Sequence, residues 1–340
     1  MPLAAGAAAP AAAPAVNSHT YINGTRSRVR RLNDGALIRP HMDARMGGNI
    51  NGPCALRVPD WVSAPLGRYY LYFADHCGSY IRLAYADRPE GPWQIHTPGC
   101  LDLADSHFCT AAPNPASAPS YWDGEGEGWR AFLYPHIASP DVQVDEARGE
   151  IRMYYHGLEV DGDQPTRLAI SRDGLHFRAC EPLLAPPYLR VVQRADGWYG
   201  IAYPNRLWRS PDGIQPFEAG PEVLPDNTRH AALLADGDRL YLAWTQVGDA
   251  PERIYAGWLE MRGDWRDWRL QGSEEWLRPE LGWEGADEPV EASRLGATEG
   301  PVNQLRDPYL FRDGQRLLLY YAAAGEHGIG LAEVRGWSVS

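Results

Sequence analysis

A single strand-rich unit recurs five times along the 340 residues, and this repeat limits the fold more than any other feature. Each copy has an apolar strand, a Gly or Asp-Gly turn, an aromatic-rich strand, and a third strand ending in polar residues. The first copy reads Gly52–Leu56, Gly67–Phe73 and Ile81–Ala86. The second reads Ser139–Val142, Glu150–Tyr155 and Thr166–Ser171. The third reads Arg190–Val192, Asp196–Ile201 and Asn205–Ser210. The fourth reads His230–Leu233, Asp236–Leu242 and Arg253–Trp258, and the fifth Asp307–Phe311, Asp313–Tyr321 and Gly328–Ala332. The period is that of strands, and Asp-Gly between two apolar runs marks a hairpin. One such sheet cannot bury both of its faces. Stacking copies around an axis buries them, so the pattern predicts an all-β fold, a five-bladed β-propeller.

In a propeller the innermost strands start at the axis. The residues predicted to line a central funnel are therefore Gly52, Ser139, Arg190, His230 and Asp307. Long insertions, at about residues 97–134 and 262–304, are expected to form loops over one face. The length suits one domain over 18–340, preceded by an Ala/Pro-rich leader at 1–17. That leader lacks the basic start and continuous apolar core of a secretory signal.

The formal net charge of −12 argues against nucleic acid or an anionic membrane as the partner. No run reaches transmembrane length. The five cysteines are scattered and show no metal-ligand spacing, which predicts free thiols and a cytoplasmic location. No phosphate loop or His-Glu-x-x-His motif is present, so no organic cofactor is expected. A structural divalent cation at the axis is compatible with the sequence. The 13 Trp and 18 Tyr permit a sugar pocket with aromatic walls beside ordinary blade packing.

The sharpest chemical cluster runs from Glu299 through Gly300, Pro301 and Arg306 to Asp307 and Pro308. Glycoside hydrolysis needs one protonated and one ionised carboxyl. An Arg306 beside Asp307 would keep the latter ionised. Catalytic candidates are thus Asp307, Glu299 and Asp141. Asp141 and His136 both lead into the second unit, and a turn at Ser139-Pro140 is needed to bring them to one side. Substrate-binding candidates are His136, Arg190, Arg229, His230, Arg306, Asn51 and His76. Two Ser-x-Asp-Gly turns, Ser171–Gly174 and Ser210–Gly213, resemble the Asp-box turns of sialidases. They are read as structural.

These residues together resemble the five-bladed propeller glycosidases of glycoside hydrolase family 43. The similarity spans about residues 45–337 and rests on the blade pattern, Arg306-Asp307-Pro308 and Glu299-Gly300-Pro301. It implies a glycosidase acting on a terminal sugar of a glycoside or oligosaccharide, with Asp307 as a family-type carboxylate and Glu299 as the acid. One departure stands out: the family's base usually starts the first blade, where this chain has Gly52. A sugar-binding propeller without catalysis is the first alternative. His-based or metal-assisted chemistry in the same funnel is the second.

Overall fold

The computed structural model describes residues 18–22, 25–114 and 133–335. Five antiparallel sheets stand around one axis. The first blade is β3 to β6, Asn51–Arg57, Tyr69–Ala74, Tyr80–Ala86 and Gln94–Asp102. The second is β7 to β10, Ile137–Asp145, Glu150–Gly157, Thr166–Ser171 and Arg178–Ala179. The third is β11 to β14, Arg190–Arg194, Gly197–Ala202, Arg206–Ser210 and Glu218–Glu222. The fourth is β15 to β18, Thr228–Asp236, Arg239–Gln246, Ile254–Glu260 and Leu270–Leu277. The fifth is built from β19 to β21, Arg306–Asp313, Arg316–Ala322 and Ile329–Arg335. Its outer strands come from the other end of the chain: β2 (Thr25–Arg31) pairs β21, and β1 (Ser18–Ile22) pairs β2. Consecutive inner strands touch, and β19 meets β3 to close the ring.

The fifteen strands read from the repeat all form, displaced by a few residues at their ends. Each blade gains a fourth strand that the repeat did not show. The outer strands β6 and β18 occupy the starts of the two stretches expected to be insertion loops. Asp-Gly places the hairpin loops as expected: Gly237 and Gly314 take φ of 55° and 60°, a region glycine enters without steric cost.

The core is a series of clusters between neighbouring blades. Tyr154 and Leu168 of the second blade meet Val191 and Trp198 of the third. Tyr199 and Leu207 of the third meet Leu233 and Trp244 of the fourth. The two Asp-box turns add polar staples. The Tyr72 hydroxyl donates to Gly174 O at 2.9 Å, and one blade further Tyr154 donates to Gly213 O at 2.9 Å. Asp173 and Asp212 each accept two backbone N–H bonds within their own turns. Ring closure is locked by Arg31 of β2, which donates to Glu284 at 2.7 Å and to Glu280 at 2.8 Å. Glu284 is fully buried and also accepts from the Tyr321 hydroxyl at 2.7 Å.

Candidate functional site

Three inner strands begin with the same local device. Gly52, Ser139 and Asp307 each precede a proline, sit at a break in strand register, and have φ of 58°, 51° and 45°. Left-handed backbone on Ser and Asp costs on the order of 1–3 kcal/mol and is held only where surroundings enforce it. The register break expected at Ser139-Pro140 is therefore present, and it recurs in two other blades.

The first of these positions is crowded as well as left-handed. A Cβ on Gly52 would lie 3.2 Å from the Ser139 Cα and 3.7 Å from the Pro140 ring. The five inner strands converge so closely here that a first-blade side chain would press on the second blade.

Above this constriction opens a cavity of about 740 Å³. The residues at its polar end are Asn51, His76, Arg229, His230, Asp307 and Glu326, with His136 and His156 on the second-blade side. Tyr188 and Tyr203 complete the aromatic wall. Asp307, His230, His136, Arg229, Asn51 and His76, all expected from sequence, are thus brought into one cavity.

Asp307 is 2% exposed, and its Oδ1 lies 2.8 Å from His230 Nδ1. Its Oδ2 is buried without a hydrogen-bond partner among the described residues. Burial pushes the carboxyl up, but His230 outweighs this and holds it below the ordinary value; Glu326 acts in the raising sense. Glu326 is also buried. It accepts from Asn49 Nδ2 at 2.6 Å and from Arg306 Nη1 at 3.0 Å, and His76 Nδ1 stands 3.4 Å away. Burial again opposes ionisation, yet His76, Arg306 and Asn49 together hold Glu326 far below the usual carboxylate range.

Behind this wall runs a buried ion network. Arg229 Nε donates to both Glu252 oxygens at 2.9 and 3.2 Å, and Arg306 Nε is 3.7 Å from Glu252. Sequence reasoning paired Arg306 with Asp307. The structure corrects this: Arg306 turns to Glu326, Gln304 and Gly296 O, and His230 is the group against Asp307.

The second-blade side is different. His136 Nδ1 lies 2.9 Å from Tyr134 O, and burial pushes its imidazole down to about 4, against the effect of that carbonyl. His156 is fully enclosed, and burial, with His136 next, pushes it lower still. Its Nδ1 has no partner among the described residues. The rings of His136 and His156 are 5.6 Å apart. Tyr188 joins the two sides, its ring 4.5 Å from His156 and 4.7 Å from His230.

Four predicted residues do not line the cavity: Arg306, buried behind the wall, and Asp141, Arg190 and Glu299. Asp141 is buried off the cavity, accepting from Val191 N at 2.9 Å and Gln143 Nε2 at 3.2 Å, with Arg190 3.7 Å away. Burial raises its carboxyl, against the pull of Arg190. Arg190 donates to Pro140 O at 2.5 Å and lies 5.8 Å over the Tyr309 ring. Both side chains tie inner strands together inside the ring. Glu299 is exposed on the segment before the fifth blade and does not line the cavity, although Leu295 and Gly296 of the same segment do.

Glu326, His156, Tyr188 and Tyr203 were missed. Apart from His76, the sequence places candidates at or near the starts of inner strands. Antiparallel pairing brings the ends of the second strands to the same place: His156 faces Ala138, and Glu326 follows β20 in a short turn. Among the described residues, no group of three His, Cys, Asp or Glu side chains is arranged to hold a metal ion.

No family model matches the chain. A curated relative, the uncharacterized protein R118 of Acanthamoeba polyphaga mimivirus, is 33% identical over 313 residues, covering 84% of this chain and 83% of that protein. The chain belongs to the family of protein R118. Solved structures with the same fold include the GH43_1 enzyme from Xanthomonas citri complexed with xylotriose, at TM-score 0.56 and 13% identity over 88% of this chain and 90% of that one. Another is the α-L-arabinofuranosidase PaAbf62A from Podospora anserina in complex with cellotriose, at TM-score 0.53 and 12% identity over 89% and 95%. A third is the catalytic domain of a Coprinopsis cinerea GH62 α-L-arabinofuranosidase, at TM-score 0.54 and 13% identity over 90% and 97%. The fold is the five-bladed propeller of these glycoside hydrolases, carried on a divergent sequence. Within the described residues no helix is long and apolar enough to cross a membrane.

Proposed function

We propose that the chain is a glycosidase that takes a terminal sugar of a glycoside or oligosaccharide into the funnel. The reading rests on Asp307. It is a carboxylate held below its ordinary value, buried at a cavity wall, with Oδ1 2.8 Å from His230 Nδ1 and Oδ2 without a hydrogen-bond partner among the described residues. Such an oxygen suits a base that takes the proton of an attacking water, or a nucleophile toward the anomeric carbon.

Glu326 replaces Glu299 as the second carboxylate of the site. Its ionisation is too firmly held for it to act as the acid. The leaving oxygen then takes its proton from the imidazole of His76, which stands against Glu326 and not against Asp307. The oxygen of water bonds to the anomeric carbon as the glycosidic bond breaks. The water proton passes to Asp307 and the imidazole proton to the departing alcohol.

The neutral imidazoles of His136 and His156 suit sugar hydroxyls, which both donate and accept. The solved neighbours in complex with xylose, xylotriose and cellotriose support a sugar in this fold. The five free cysteines support a cytoplasmic location. Gly52 favours a second reading, a sugar-binding propeller without turnover, because the first-blade carboxylate of the resembled family has no room here.

The test is a panel of aryl glycosides assayed with the wild type, Asp307→Asn and Glu299→Gln, beside thermal melts. Asp307→Asn is expected to lower turnover about 10²–10⁴-fold, the worth of a positioned acid–base group, while the protein stays folded. Glu299→Gln is expected to leave turnover unchanged. Sugar binding without any turnover would move the assignment to the second reading.

A further inference from the structure

The cavity has a second, apolar end that the proposed hydrolysis does not use. Leu183, on the segment between the second and third blades, is 45% exposed, and Leu295, on the segment before the fifth, is 55% exposed. Both line the cavity, together with Pro186, Pro187 and Trp208. Scattered exposed leucines need no explanation, but two converging on the mouth of a polar cavity from separate segments do.

Neither leucine is left out by slack in its loop. Beside Leu183, Leu184 N donates to Thr166 O at 2.8 Å, Thr166 N donates to Ala185 O at 2.8 Å, and the Thr166 hydroxyl donates to Pro186 O at 2.6 Å. Leu295 is held from both sides by the ionised wall itself. Arg229 Nη2 donates to Arg294 O, and Arg306 Nη1 donates to Gly296 O at 3.0 Å. The two guanidiniums that neutralise Glu252 and Glu326 therefore also fix an apolar side chain at the lip. A preformed seat costs a ligand less ordering than one built on binding.

We infer that this lip is the seat of an apolar aglycone, so that the substrate is an alkyl or aryl glycoside rather than an oligosaccharide extended by further sugars. The inference rests on the sugar-processing reading for the polar end. Asp163 and Gln164 also line the cavity, but the side chains of Leu183, Leu295, Pro186 and Pro187 offer sugar hydroxyls no partner, whereas a hydrocarbon group is removed from water against them.

The test compares binding of n-hexyl and methyl β-D-xylopyranoside by calorimetry, in the wild type and in the double variant Leu183→Ser, Leu295→Ser, together with turnover of both. The exposed leucines carry little of the core, so the variant is expected to fold. The hexyl glycoside is expected to bind at least about 10-fold tighter than the methyl, since each buried methylene contributes. The double variant should lose most of that ratio and keep its affinity for the methyl glycoside. Equal affinities, a preference untouched by the double variant, or binding of neither glycoside would overturn the inference. Methyl glycoside turnover without hexyl preference removes the apolar seat and leaves the hydrolysis standing. Hexyl preference carried by the two leucines without turnover keeps the seat and removes the hydrolysis.

Discussion

The two sides of the funnel use the same side chain in opposite ways. On the second blade, no carboxylate among the described residues stands against His136 or His156, and burial pushes both imidazoles down. On the rest of the wall, His230 and His76 each stand against a buried carboxylate that they help to hold ionised. Imidazole in an apolar enclosure is a polar but uncharged surface; imidazole beside Asp or Glu favours the ionised carboxylate. One wall is therefore suited to hold hydroxyls and the other to move a proton. The difference comes from what lies behind each wall: main-chain carbonyls and rings on one side, the Arg229–Glu252–Arg306–Glu326 network on the other.

The largest effect is expected from breaking that network. Arg306→Ala leaves Glu326 and Glu252 buried with less countercharge. Removing one partner of a buried pair costs about 3–5 kcal/mol, to be read by chemical denaturation. A loss below about 1 kcal/mol would mean that the ionised wall does not depend on Arg306.

A smaller effect follows from placing the missing carboxylate. Gly52→Asp forces a side chain into left-handed backbone and against Ser139. Overpacking of this kind costs about 1–3 kcal/mol, with no gain in turnover. A stable, more active variant would show that the first blade has room for the base that the resembled family carries there.

The smallest effect is a slope. His136 titrates at about 4 in the folded chain, below the ordinary value of roughly 6.5. The unfolded chain takes up this proton first as pH falls. Stability from His136 is thus complete above about pH 6.5 and is lost progressively toward about pH 4. His136→Gln is expected to flatten the stability curve over that window. An unchanged slope would mean that the imidazole is not held neutral.

The fold was legible because three strands of every blade carry apolar and aromatic runs joined by a Gly or Asp-Gly turn. The fourth strands were not. β14 is exposed or half-exposed along its length, and β10 has two residues, so neither shows an apolar pattern. The fourth strand of the fifth blade comes from residues 25–31, and nothing local in either segment announces a pairing so distant in sequence. Within the site, Asp307 and His230 were legible from register alone. Glu299 misled, because a motif of three residues carries no information on which way its loop faces. Glu326 lies in a Gly-rich turn after β20, whereas His76, in the corresponding place of the first blade, is a candidate from the sequence.

The division of the funnel is tested most directly by steady-state kinetics on one active glycoside with Asp307→Asn and His156→Gln side by side. Asp307→Asn is expected to lower kcat with little change in KM, the mark of an interaction made in the transition state. His156→Gln is expected to raise KM with kcat near the wild type. The reverse pattern, with His156→Gln abolishing kcat and Asp307→Asn changing only KM, would contradict the account and move the chemistry to the neutral wall.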